Sequence, residues 1–234
     1  MENWFIEEKI RGKDMPIRKE VLALGSIYHV FTKSIAGYNI FYQEIHQLRI
    51  IEAMRFYQLE NPPCKFSRFI QLKNTNRQTC PEISSLLMAT NKSKLVEIIA
   101  YCIMPTHLHL VLHQTKDDGV GRFMRKLLDS YTRYFNIRHN RKGPLWEARF
   151  KNVLVKTDEQ LLHLTRYVHL NPVTAYLVDD PTKWFPSSYN EYLGERVTER
   201  ICSYMSFLDV EPAAYRQFVK EGIEYQRQLA MAKA

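Results

Sequence analysis

Three histidines stand in one short apolar run, Ile103-Met-Pro-Thr-His-Leu-His-Leu-Val-Leu-His113. In a β-strand successive side chains point to opposite faces, so residues two apart share a face. Leu108, Leu110 and Leu112 then point into a core, while His107, His109, Val111 and His113 share the opposite surface. Two imidazoles two residues apart can ligate one metal ion through their ring nitrogens. A half-buried strand with incidental histidines explains the same letters, and the pair alone does not decide between the two readings. His113 lies about 13 Å beyond His109 at ordinary strand rise, too far along to share an ion.

A second group of reactive side chains follows. His163, Tyr167 and Asn171 recur every four positions in a segment opened by Thr157-Asp-Glu-Gln160. That opening is a capping-box pattern, with Thr157 as N-cap. Four residues turn a helix by about 400°, which puts the three side chains on one face. Leu161, Leu164 and Val168 supply the buried stripe. The helix is expected to run from Leu161 to about His169 and to stop at Asn171-Pro172, because proline has no amide hydrogen to donate. Tyr167 is a possible oxygen nucleophile, although a core or capping tyrosine is the simpler reading of its spacing alone. Tyr131 and Tyr134 are rivals on another helix, and the Phe123/Leu127/Tyr131 spacing assigns Tyr131 to the core or to base stacking. His163 could take a proton from Tyr167, with packing as its simpler role. Glu147 could orient a metal ligand.

The elements that must position these residues are legible in outline. Ile27-Tyr-His-Val-Phe-Thr-Lys-Ser34 is β-branched and aromatic between glycines, a strand. Gln43 to Tyr57 carries Ile45, Leu48, Ile51 and Met54 at helical spacing, and Asn61-Pro-Pro ends it. Residues 61–82 read as a basic insertion or solvated connector, with Lys65, Arg68, Lys73 and Arg77 beside Phe66 and Phe69. Residues 83–90 allow a short helix. Leu95 to Met104 is β-like and is either continuous with the histidine run or joined to it by a turn near Pro105. Lys116-Asp-Asp-Gly119 is a turn, and a long helix follows from about Val120 to His139. The last 45 or so residues look helical, Glu211-Pro-Ala-Ala-Tyr-Arg-Gln-Phe-Val-Lys most clearly.

A basic aromatic stretch runs through the long helix and beyond it. Arg122, Arg125, Lys126, Arg133, Arg138, Arg141, Lys142, Arg149 and Lys151 are interleaved with Tyr134, Phe135, Trp146 and Phe150. Cations for phosphates with aromatic planes for bases is the chemistry of single-stranded nucleic-acid binding. A solvated charged face over core aromatics is the competing reading. The net charge of +8 over 234 residues favours a polyanionic partner in the same weak way. No apolar run approaches the 18 or so residues of a membrane helix. The first residues lack the basic-then-apolar order of a signal peptide, and a cytoplasmic location is expected. The four cysteines, Cys64, Cys80, Cys102 and Cys202, form no Cys-x-x-Cys pair and are read as reduced and independent.

Taken in order, five blocks make a more specific pattern: Ile103-Met-Pro-Thr-His-Leu-His-Leu-Val; Ser130-Tyr-Thr-Arg-Tyr-Phe-Asn136; Gly143-Pro-Leu-Trp-Glu-Ala-Arg-Phe-Lys151; Arg166-Tyr-Val-His-Leu-Asn-Pro-Val-Thr-Ala175; Trp184-Phe-Pro-Ser-Ser-Tyr189. This series resembles the REP-associated tyrosine transposases, a branch of the single-strand HUH transposases. The resemblance covers about residues 15–195, with residues 1–14 expected as a leader segment and 196–234 as a helical C-terminal extension. It implies an α+β fold, an antiparallel ferredoxin-like sheet with helices packed on it. It implies that His107 and His109 are paired metal ligands around Leu108, that Asn171 is a third ligand, and that Tyr167 is the nucleophile. The implied reaction is cleavage and transfer of single-stranded or hairpin DNA through a 5′-phosphotyrosine. Mg²⁺ or Mn²⁺ suits such a ligand set, which offers no thiolate, better than zinc. The implied partner is single-stranded or hairpin DNA at the nucleoid, not a membrane, with monomer and homodimer both open. Two other functions compete: a hairpin-DNA binder that no longer cuts, and a metallohydrolase that uses water as nucleophile.

Overall fold

The alternation in the histidine run is that of a strand covered on both faces. In the computed structural model, which describes residues 22–62, 64–75, 93–195 and 200–232, that run is the third strand of a four-stranded sheet. The strands are β1 (Ile27–Lys33), β2 (Val96–Ile103), β3 (His107–Gln114) and β4 (Lys151–Val155). Their order is β2-β3-β1-β4, and every neighbouring pair is antiparallel. Helix α1 (Glu44–Tyr57) and a shorter α2 (Phe66–Thr75) connect β1 to β2, and α3 (Gly119–Arg138) connects β3 to β4. The succession β-α-β-β-α-β in this order is the ferredoxin-like arrangement, as the resemblance implied. Four further helices follow: α4 (Asp158–Thr174), α5 (Tyr189–Tyr192), α6 (Pro212–Glu221) and α7 (Ile223–Met231). The leader segment, Cys80, residues 76–82 and the short helix expected at 83–90 lie outside the described residues.

β2 and β3 are two strands of a hairpin. Met104 and His107 exchange backbone bonds of 2.8 and 3.4 Å across Pro105-Thr106, so the proline sits in the turn, where no ladder donor is required. The hairpin then delivers His107 as the first residue of β3. Below it, Leu108, Leu110 and Leu112 join Tyr28 and Val30 in a core closed by Ile50 and Met54 of α1 and Phe123 and Leu127 of α3. The opposite face carries a second core: Ala100, Cys102 and Val111 meet Leu161, Val168 and Leu170 of α4, with Tyr192, Tyr215 and Val219 behind them. A bulge between Ile98 and Ala100 resets the alternation of β2, so that Ile99 and Ala100 both serve the second core while Ile98 and Tyr101 serve the first.

Several local expectations are corrected. On α1, Ile45 and Leu48 are 47% and 41% exposed, and His46 is buried instead. The imidazole can occupy a core position because its Nδ1 lies 3.1 Å from the Tyr134 hydroxyl. Residues 66–75 are not a solvated connector but a helix: Phe66 and Phe69 are buried against Phe56, Arg49 lies over the Phe66 ring, and Lys73 pairs with Glu52. The helix α4 does not stop at Asn171-Pro172 but runs through to Thr174. Proline removes the bond that Val168 O would accept from the residue four later. The Asn171 amide nitrogen takes up that carbonyl at 3.3 Å and the Tyr167 carbonyl at 3.0 Å, a side chain standing in for backbone. The helix expected over the last 45 or so residues is found at Pro212–Glu221 and Ile223–Met231, which pack through Tyr215 and Val219 into the second core, whereas residues 200–211 are irregular apart from a short 3-10 turn at Tyr204–Ser206.

Candidate active site

The register of the sheet brings one set of side chains together above β3. His107 lies opposite Lys33, and His109 opposite Phe31. Phe31 in turn lies opposite Lys151 on β4. Alternation places Lys33, Phe31 and His29 of β1 and Lys151 of β4 on the face that carries His107 and His109. The His107 and His109 rings meet edge to face at 5.1 Å. The α4 helix crosses this face, held by Val168 and Leu170 in the second core, and its Tyr167 ring stands edge-on to His109 at 5.8 Å and to His29 at 6.0 Å. Thr157 begins α4 as the capping box implied, accepting from the Gln160 amide at 3.1 Å. One chain therefore contributes both the histidine pair and the tyrosine.

The electrostatics of the three imidazoles agree. Burial lowers His29 to about 4. Burial, with Lys33 close by, lowers His107 to about 4. His109 falls well below its usual range through burial first, then through His29, His107 and Lys33. All three are neutral at pH 7, the form in which imidazole offers a lone pair. The ring Nδ1 of His107 is 3.0 Å from Thr106 Oγ1, and that of His109 is 3.0 Å from His29 Nε2. The Nε2 atoms of His107 and His109 are used by neither bond. Tyr167 is pushed up by burial and then by Cys102, so its hydroxyl keeps its proton at neutral pH. Asn171 lies one turn beyond Tyr167 on α4 and forms no hydrogen bond with either histidine. Its amide nitrogen is spent on the helix, which leaves Oδ1 as the atom it could offer a cation. Among the described residues no group of three or more His, Cys, Asp and Glu is arranged to hold a metal. Two neutral imidazoles on β3, with the Asn171 amide oxygen on α4, are the donors that could be offered to a divalent ion, which would draw its remaining ligands from other oxygens.

The remaining candidates separate by location. His113 pairs with Glu97 at 3.0 Å and packs on Phe207, away from the pair. His163 bonds Arg166 at 2.9 Å and meets Phe218. Tyr131 is buried and donates to Ile40 O, a core residue. Glu147 is exposed beside the sheet end. Of the basic residues, Arg122 and Arg125 face Glu60 and Asp118, and Lys126 is half-buried. Arg138, Lys142 and Arg149 are exposed. Arg133, Arg141 and Lys142 line one surface groove with Asn136. Trp146 is not a free aromatic plane: its indole nitrogen donates to Thr132 Oγ1 at 2.9 Å, and its ring packs on Phe41 and Tyr131. Sequence reasoning missed His29 and Lys33. Both lay in a strand that it recognised, and the parity of that strand was the available signal, but only the register with β3 identifies which face is which.

Residues 70–171 match the family model described as Transposase IS200 like. A protein of Haemophilus influenzae assigned by name as a REP-associated tyrosine transposase is 28% identical over 104 residues, 40% of this chain. The chain spans 59% of the length of that relative. A solved structure titled as a REP-associated tyrosine transposase bound to a REP hairpin aligns at 16% identity and TM-score 0.49, over 85% of this chain and 93% of the other. The span matched by that family model, residues 70–171, holds His107, His109, Tyr167 and Asn171, and in sequence the chain is similar to a REP-associated tyrosine transposase.

Proposed function

We propose that the protein cleaves and rejoins single-stranded or hairpin DNA, with Tyr167 as nucleophile, in the mobilisation of repetitive hairpin elements. The observation that carries this reading is the Tyr167 ring standing against His109 on the same sheet face as His107. In the reaction, Tyr167 Oη attacks the scissile phosphorus. The new Oη–P bond forms as the P–O3′ bond breaks, the phenolic proton is lost to solvent, and the departing 3′-oxygen takes up a proton. Phosphodiester energy is kept in the 5′-phosphotyrosine, so a 3′-hydroxyl can reverse the step and reseal DNA. His107, His109 and the Asn171 amide oxygen would hold Mg²⁺ or Mn²⁺, which as a Lewis acid would offset charge on the phosphate oxygens. Lys33 and Lys151, on the same sheet face, are placed to draw a phosphodiester towards the pair. The exposed cations Arg133, Arg138, Lys142 and Arg149 would hold the rest of the strand.

The test is incubation with labelled single-stranded hairpin oligonucleotides and Mg²⁺ or Mn²⁺, scored for a denaturant-stable protein–DNA adduct. The wild type forms the adduct, and chelation by EDTA abolishes it. Tyr167→Phe loses at least 10³-fold in adduct, the order expected when a nucleophile is removed, and keeps hairpin affinity. Wild-type adduct from Tyr167→Phe sinks the assignment of the nucleophile. Cleavage without any adduct favours a water-using hydrolase, and binding without cleavage a hairpin-DNA binder.

A further inference from the structure

His29 has no part in the reaction as written, yet it touches both of its principal side chains. Its Nε2 lies 3.0 Å from His109 Nδ1, the two rings are stacked at 5.2 Å, and it meets the Tyr167 ring nearly at a right angle with centroids 6.0 Å apart. Both imidazoles are buried, at 5% and 7% exposure, so water does not compete freely for this bond. His29 also lies outside residues 70–171, on β1, a strand the family match does not reach.

A neutral imidazole has a single N–H, and the nitrogen that donates cannot also ligate. The bond between the two rings has two forms. In one, His109 donates from Nδ1 to His29 Nε2, and the lone pair of His109 sits on Nε2. In the other, His29 donates, and His109 carries its proton on Nε2, where it blocks coordination. We propose that His29 is a positioning residue that accepts the Nδ1–H of His109 and so keeps His109 Nε2 free for a divalent cation. The inference rests on the reading of His109 as a metal ligand. The companion residue has the same arrangement: His107 Nδ1 lies 3.0 Å from Thr106 Oγ1, so in both histidines Nδ1 is the nitrogen engaged by a neighbouring side chain. Partners of this kind orient ligating histidines generally. A phenylalanine would fill the same space beside His109 and Tyr167. Only an acceptor fixes the proton.

The test reads the proton directly and then the metal. In the metal-free protein, two-bond ¹H–¹⁵N correlation of the histidine rings is expected to show His109 protonated at Nδ1. His29→Phe, which keeps the ring and removes the acceptor, is expected to shift His109 towards the Nε2–H form. It should also weaken Mn²⁺ binding, followed by electron paramagnetic resonance, by about 10–100-fold. His29→Gln, whose Oε1 can accept, is expected to restore the Nδ1–H form and most of the affinity. An unchanged His109 tautomer in a folded His29→Phe protein overturns the proposal. Should that variant not fold, Nε2–H at His109 in His29→Gln overturns it equally. A wild type that binds no Mn²⁺ defeats the metal reading, while the tautomer measurement in the metal-free protein still decides the role of His29.

Discussion

Histidines held neutral by burial stand at the candidate site and in both cores. His169 is fully buried in the second core between the Tyr215 hydroxyl and Ser188 Oγ, each at 2.7 Å, and burial lowers it to about 3. His46 is buried in the first core and held at about 4 by burial, His139 and Arg138. In the unfolded chain both return to the ordinary value of about 6.5. Because the folded values are depressed, the unfolded chain binds the protons first, and stability falls as pH drops from about 6.5 towards 4. Urea midpoints measured across this range should decline steadily, and a midpoint that stays flat would show that neither histidine is held neutral. His169→Gln keeps a donor and an acceptor while removing the titration, and should flatten part of the decline.

At the scale of elements, the site depends on how helices are seated on the sheet. The start of α3 lies against β2 through a residue without a side chain. A Cβ at Gly119 would collide with the Leu95 carbonyl oxygen, a backbone atom that cannot rotate away. Gly119→Ala should therefore destabilise by about 2 kcal/mol or more, seen as a lowered melting temperature. At Gly222 the nearest atom is Cδ of the Arg166 side chain, which unlike backbone can shift at the cost of its contacts with His163 and Phe218, and alanine there should be milder. The α4 helix is held from outside as well as inside. Gln226 of α7 donates to the Tyr167 carbonyl at 3.1 Å, and Val219 of α6 is wholly buried. Val219→Ala should cost about 2 kcal/mol through the cavity it leaves, measured by denaturant titration. The loss would fall on the helix that carries Tyr167.

At the scale of the whole molecule, charge and sites are divided between the faces of one sheet. The α3 helix closes the first core with its apolar stripe and turns Arg133 and Arg138 to solvent. Tyr167 stands over the opposite face beside its own chain's His109. With a net charge of +8, hairpin affinity should fall linearly against the logarithm of salt concentration. Alanine at Arg138 or Lys142 should each lower that slope by about 1. Alanine at Arg122, which already faces Glu60 at 3.7 Å, should change it little. Equal slopes for all three variants would mean that the exposed cations of α3 and its following loop do not meet the phosphates.

How much of this was legible beforehand follows from the range of each interaction. Side-chain alternation and helical spacing are local properties of the chain. The faces of β3, the N-cap at Thr157 and the common face of Tyr167 and Asn171 could therefore be read from the letters, and the five ordered blocks pointed to the family. The parts misread were those where a distant partner changes the preference of a local pattern. His46 is buried in place of Ile45 because Tyr134, 88 residues away, satisfies it. Pro172 lies inside a helix because Asn171 covers the carbonyl left open. The sequence by itself determined which side chains His107, His109 and Tyr167 present and to which face. Only the tertiary structure decided that His29, 80 residues before His109, meets both the histidine and the tyrosine, because strand register is a non-local choice that no window of sequence contains.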